Sequence, residues 1–131
     1  MKNRIVKVIA AALAAAVCTA LAACERVTYN DRITRGTVTF FEKTSALTKE
    51  DAEVMFGLFD GQVLYRDDPS CGFSEEVSVS FNDGAHVFWF AQDSCPIVYY
   101  KNSDKYLSLS DREQRSLYSI LKKYGFRFPC V

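Results

Sequence analysis

The chain has 131 residues, with 16 basic side chains balanced by 16 acidic ones and a single histidine. That length bounds it to one compact domain. The neutral balance, with no cluster of lysine and arginine, excludes the basic stripe of a nucleic-acid binder. Ten phenylalanines, seven tyrosines and one tryptophan make 14% of the chain aromatic, so most of these rings must be core and a few are free to form a contact face.

The chain opens with Lys2, Arg4 and Lys7, then runs apolar from Val8 to Ala23, which is 16 residues against the roughly 20 that cross a bilayer. A basic start, a short apolar stretch and small residues at its end form the pattern of an export signal. The stretch closes on Leu21-Ala22-Ala23-Cys24, which resembles the lipobox of bacterial lipoproteins. The resemblance implies cleavage before Cys24 and a diacylglycerol on its sulfur, with enough buried methylenes for stable anchoring. It also implies an extracytoplasmic place on the cell membrane or the outer membrane. Glu25 follows, not the aspartate that favours inner-membrane retention in the enterobacterial lipoproteins of this pattern.

On this reading residues 1–23 are a signal peptide, 24–35 a lipidated tether and 36–131 a single domain. The leader takes three basic residues and no acidic ones, leaving the mature chain at a net charge of −3. Of five cysteines, Cys18 leaves with the leader and Cys24 carries lipid. Cys71, Cys95 and Cys130 remain for an oxidising compartment, enough for one disulfide and one odd thiol.

Glu25 to Arg35 is polar with little periodicity and is expected as the tether. Thr37 to Phe41 has strand composition. Thr48-Lys-Glu-Asp51 offers an N-cap with acidic residues in the first turn, and Ala52, Met55, Phe56 and Phe59 then fall on one helical stripe before Gly61. Gln62 to Tyr65 is a short strand candidate, followed by the turn-rich Arg66 to Ser70.

Val77, Val79 and Phe81 alternate with Ser78 and Ser80, Asn82-Asp83-Gly84 supplies a turn, and Ala85 to Ala91 resumes as an aromatic strand, so a β-hairpin is expected. Two registers are open. A three-residue loop pairs Phe81 with Ala85 and puts Phe88 and Phe90 on the face of Ser78 and Ser80. A two-residue loop shifts every partner by one and turns them into the core. Either register brings Cys71 near Cys95, which is the expected disulfide.

Ile97 to Tyr100 and Tyr106 to Leu109 read as further strands. Ser110-Asp-Arg-Glu113 is a capping box, and Leu117, Ile120, Leu121 and Tyr124 stripe the helix behind it up to Gly125. The apolar tail from Phe126 is expected to return to the sheet. The order of elements predicts an α+β fold, a mostly antiparallel sheet with two helices packed on one face.

No chemistry-bearing constellation emerges. His86 stands alone beside the hairpin turn and reads as a solvated strand residue, and no Cys-x-x-Cys pair marks a metal site, so no metal and no cofactor is expected. No G-x-S-x-G elbow is present, and no enzymatic activity is expected. Cys71-Gly72-Phe73 and Asp93-Ser94-Cys95 resemble the same elements of small lipoproteins of uncharacterised function, a resemblance that names no activity.

The expectation is a non-enzymatic, membrane-anchored domain that binds an envelope component or an external protein through a sheet face, with Tyr99, Tyr100, Phe88 and Phe90 as contacts. The rival is a thiol-exchange or redox-sensing protein that sets Cys130 against the Cys71–Cys95 pair.

Overall fold

The computed structural model describes residues 24–29 and 32–129. Six strands form one antiparallel sheet: β1 (Gly36–Phe40), β2 (Lys43–Ala46), β3 (Phe73–Phe81), β4 (His86–Ala91), β5 (Ile97–Tyr100) and β6 (Lys105–Ser108). Their order across the sheet is β2-β1-β3-β4-β5-β6. Helix α1 (Lys49–Phe59) lies between β2 and β3 in the chain, and α2 (Asp111–Lys122) follows β6. The fold is α+β, as its sequence pattern predicts, and β2 is an edge strand that the pattern does not reveal. No helix among the described residues is long and apolar enough to cross a membrane.

Both helices start at local signals. The Thr48 hydroxyl accepts from the Asp51 amide, and Ser110 and Glu113 complete a reciprocal capping box, so orphan amide groups at each N-terminus are satisfied. Past the helix ends Gly61 and Gly125 take φ of 76° and 88°, the left-handed region where glycine carries no Cβ penalty. Met55, Phe56 and Phe59 of α1 and Leu117, Ile120 and Leu121 of α2 are buried in one cluster with Val38, Val79, Phe81, Phe88, Phe90 and Leu107. Each fully buried side chain of this size contributes about 1.5–3 kcal/mol relative to exposure. Gly36 admits α1 closely, since a Cβ there would stand 2.8 Å from Leu47 Cδ1 and 3.3 Å from Ala52 Cβ.

The two helices are joined by a polar latch. Lys123 Nζ donates to Asp51 at 2.8 Å and Tyr124 Oη donates to its other oxygen at 2.7 Å. The Thr48 amide donates to Tyr124 Oη in turn. These donors hold the Asp51 carboxyl below its ordinary pKa of 3.8, the Lys123 hydrogen bond first among them.

The hairpin takes the register of the shorter loop. Phe81 pairs with His86, Val79 with Phe88 and Ser78 with Trp89. Asp83 and Gly84 both have positive φ, 57° and 90°, and the Ala85 amide donates to the Asn82 carbonyl, which is the arrangement of a two-residue primed turn favoured by Asp-Gly. The ladder slips between Ser78 and Phe73, where Phe73 pairs with Ala91. Beyond that irregularity Cys71 and Cys95 are disulfide-bonded with Cα atoms 6.3 Å apart.

Three expectations are corrected. The described residues 25–29 and 32–35 do not hang free as a tether. Val27 is fully buried and Ile33 nearly so, the Val27 amide donates to the Gln62 carbonyl and the Leu64 amide to the Glu25 carbonyl. The Asn82 side chain accepts from the amide and hydroxyl of Thr34. Gln62 to Tyr65 is accordingly not a strand of the sheet but a strip that bridges Arg26 to Val63 on one side and Tyr65 to Tyr106 on the other. The described part of the tail forms no strand: Phe126 is buried in the core and Phe128 stacks on Tyr118 at 4.2 Å.

Candidate functional site on the outer face of the sheet

Register decides which aromatic side chains are free. Cross-strand partners share a face and neighbours along a strand alternate. Phe88 is paired with Val79 and Tyr100, and Phe90 with Val98, all facing the helices. Phe88, Phe90 and Tyr100 are buried, so three of the four residues expected as contacts are core. The two-residue Asp83-Gly84 turn is the reason, since it moves each partner of β3 by one residue.

His86, expected as solvated, is also buried. Its Nδ1 lies 2.7 Å from Tyr100 Oη in a hydrogen bond, and the Tyr29 ring meets it edge-on at 4.5 Å. Burial pushes the imidazole pKa below 6.5. It secures the N-terminal strip to the hairpin.

Tyr99 alone of the four remains on the outer face. One row of partners crosses the whole sheet there. Thr44 pairs with Thr39, Thr39 with Ser78 and Ser78 with Trp89. Trp89 pairs with Tyr99, Tyr99 with Tyr106, and Tyr106 bridges to Tyr65. Half of the row is hydroxylic and half aromatic. Phe73, beyond the slip in β3, brings its ring within 5.5 Å of Tyr106 and 6.2 Å of Tyr99. The four rings of Phe73, Trp89, Tyr99 and Tyr106 are each half-buried, and neighbours are tilted by 43° to 55°.

Polar groups fix the rim of this cluster. Tyr99 Oη donates to Asp104 at 2.8 Å and Tyr106 Oη to Asp68 at 3.0 Å. Desolvation, then the Asp68 carboxylate, pushes the Tyr106 phenol up to about 12. The hydrogen bond to Asp104 raises Tyr99 first of all. Both phenols therefore keep their protons at neutral pH and serve as fixed donors, not as bases. Lys101 lies over the Trp89 ring at 5.7 Å. Beside the cluster, Arg66, Ser103, Asp104 and Lys105 line a shallow open cavity of about 440 Å³.

Cys71, Asp93 and Cys95 come within 4.8 Å of one another, but the two sulfurs are bonded to each other and offer no thiolate. Cys24 is exposed with a free thiol, and Cys130 lies outside the described residues, as do residues 1–23, expected as a signal peptide. Sequence reasoning missed Trp89, Tyr106, Phe73 and Tyr65. The Asp83-Gly84 dipeptide could have revealed the first two, whereas Phe73 and Tyr65 reach the face through the ladder slip and the non-local bridge to Tyr106.

Comparison of the chain with protein families, with curated proteins and with solved structures gives no match in any of the three. Function must therefore be read from the residues.

Proposed function

We propose that this chain is a lipid-anchored, extracytoplasmic interaction protein, exported by the leader 1–23, modified at Cys24, and binding through the aromatic half of its outer sheet face. The observation that carries the reading is the row of half-buried rings, Trp89, Tyr99 and Tyr106, on the side of the sheet that no helix among the described residues covers. Rings with an apolar body and a polar tip suit a surface that is water-exposed in one state and covered in another. Their hydroxyls are engaged by Asp68 and Asp104, which favours binding over proton transfer. The N-terminal strip folds onto the domain from Glu25 onward, so the lipid would sit at the domain surface. The reading extends to an envelope component as the ligand class.

Intact mass of the protein extracted from its host's membranes tests the anchor. The expected species begins at Cys24, carries a diacylglyceryl group and holds one disulfide. Hydroxyl-radical labelling tests the face: Trp89 and Tyr99 label readily in the purified domain and are protected in intact envelopes. A chain without lipid would remove the anchor, and equal labelling in both preparations would remove the binding face.

A further inference from the structure

We propose that the aromatic half of the outer face is a membrane-docking surface, lying against the headgroup region of the bilayer that holds the lipid on Cys24. The inference rests on the lipid anchor argued above and names what the face binds.

The strand geometry places anchor and rings on one side. Tyr65, the bridge partner of Tyr106, brings its ring within 6.2 Å of the Tyr106 ring. Val63, two residues earlier along the same extended strip, points to the same side. It is one of the few large apolar residues left open to solvent, at 43% exposure. Arg26 is the antiparallel partner of Val63 and shares its side, whereas Val27 turns into the core. Cys24 is exposed and precedes Arg26 by two residues, so an extended backbone at this point would carry its sulfur to the outer side. An apolar track therefore runs from the point of lipid attachment through Val63 and Tyr65 to Tyr106, Tyr99 and Trp89.

The attachment has no slack. The Glu25 carbonyl accepts from the Leu64 amide, and the Glu25 carboxylate is ion-paired with Lys105, a neighbour of Tyr106 in β6. Only Cys24, which spans at most about 3.6 Å of backbone, with its side chain and the glycerol it carries, separates this pinned residue from the acyl chains, so the slack is a few bonds and not a flexible linker. A domain held that close must rest some part of its surface on the bilayer. The side that carries the sulfur is the side that carries the rings.

The chemistry of the face fits a lipid surface better than the alternatives. Tryptophan and tyrosine concentrate at membrane–water interfaces because the ring is apolar and its tip is polar. Lys101 over Trp89 and Arg66 at the adjoining cavity are matched by Asp68 on Tyr106 and Asp104 on Tyr99, so the rings and not charge drive the docking. Neighbouring rings here are tilted by 34° to 55°, so they offer no single flat platform on which successive sugars of a glycan chain could stack.

Trp89 is the only tryptophan in the chain, so its emission reports on the centre of the face. The full-length lipidated protein, with its mass verified, is reconstituted into vesicles of phosphatidylethanolamine and phosphatidylglycerol. The reference is the unlipidated Cys24→Ser protein in buffer. Docking predicts a blue shift, about twofold quenching by lipids brominated near the headgroup, and about threefold less quenching by acrylamide than in the reference, as for tryptophan at an interface. A lipidated protein whose Trp89 behaves as in the reference overturns the docking while leaving the anchor intact. A protein that carries no lipid in the verifying mass overturns the anchor, and the docking with it. Protection of Trp89 in whole envelopes but not in these vesicles also overturns the proposal and assigns the face to a glycan or protein.

Discussion

Replacing Phe88 or its neighbour Trp89 with alanine separates the two hairpin registers, and with them the identity of the free face. Phe88 has no solvent exposure. Its ring stands 4.3 Å from Phe59, 4.8 Å from Tyr100, 6.1 Å from Phe81 and 6.4 Å from Phe56. Those neighbours belong to α1 and to both flanking strands, so the cavity left by truncation cannot collapse without moving the sheet against the helix. A loss of about 3–5 kcal/mol is expected, a large part of the 5–15 kcal/mol by which domains are ordinarily stable. Trp89 is half-buried, touches Tyr99 at 5.1 Å and has no helix among the described residues above it. Its truncation should cost about 1 kcal/mol. With an m-value of about 1.5 kcal/mol per molar urea, Phe88→Ala lowers the unfolding midpoint by roughly 2–3 M and Trp89→Ala by less than about 1 M. Circular dichroism through a urea titration of both variants reads the contrast directly. If Trp89→Ala were the more damaging, the longer-loop register would hold, Phe88 and Phe90 would return to the outer face, and the row of rings described above would be core.

Removing the disulfide by Cys71→Ser with Cys95→Ser releases a loop of sequence separation 24 and should cost about 3.5 kcal/mol on the chain-entropy treatment; a fall of under 1 kcal/mol in urea titration would mean the unfolded chain is already constrained there. Burial holds the His86 pKa below 6.5, so the unfolded chain takes the proton first. Stability from this site is therefore full above pH 6.5 and declines as the pH falls below it toward the lowered folded value. His86→Phe should flatten urea midpoints between pH 7.5 and 5.5, and an unchanged slope would move the cause to another group. Asp51→Ala removes the acceptor of Lys123 and Tyr124 and should cost about 1–3 kcal/mol. Because the Asp51 pKa is depressed, its contribution is present above pH 3.8 and lost as the pH falls through the lowered value, so wild type and variant should converge in acid.

How much of this was legible depended on whether the deciding interaction is local. The helix starts at Thr48 and Ser110 and the stripe of Met55, Phe56 and Phe59 were readable because a cap or a helical face is set within a few residues. The β2 strand, Lys-Thr-Ser-Ala, was not, since an edge strand with mostly exposed side chains carries no apolar alternation. Nor was the N-terminal strip, whose sparse Val27, Tyr29 and Ile33 look like a tether until Gln62, Leu64 and Asn82 supply partners distant in sequence.

The site was misassigned for a different reason. From Val87 to Phe90 every residue of β4 is apolar or aromatic, so alternation alone cannot say which side faces the helices. The choice fell to the turn, where Asp83-Gly84 favours the two-residue loop and so the outward Trp89. A strand with rings on both sides is itself informative. One set, Phe88 and Phe90, is accounted for by the core. The other, Trp89 with its partners Tyr99 and Tyr106, stays half-buried with no helix among the described residues over it, and a partner outside the chain would complete its burial.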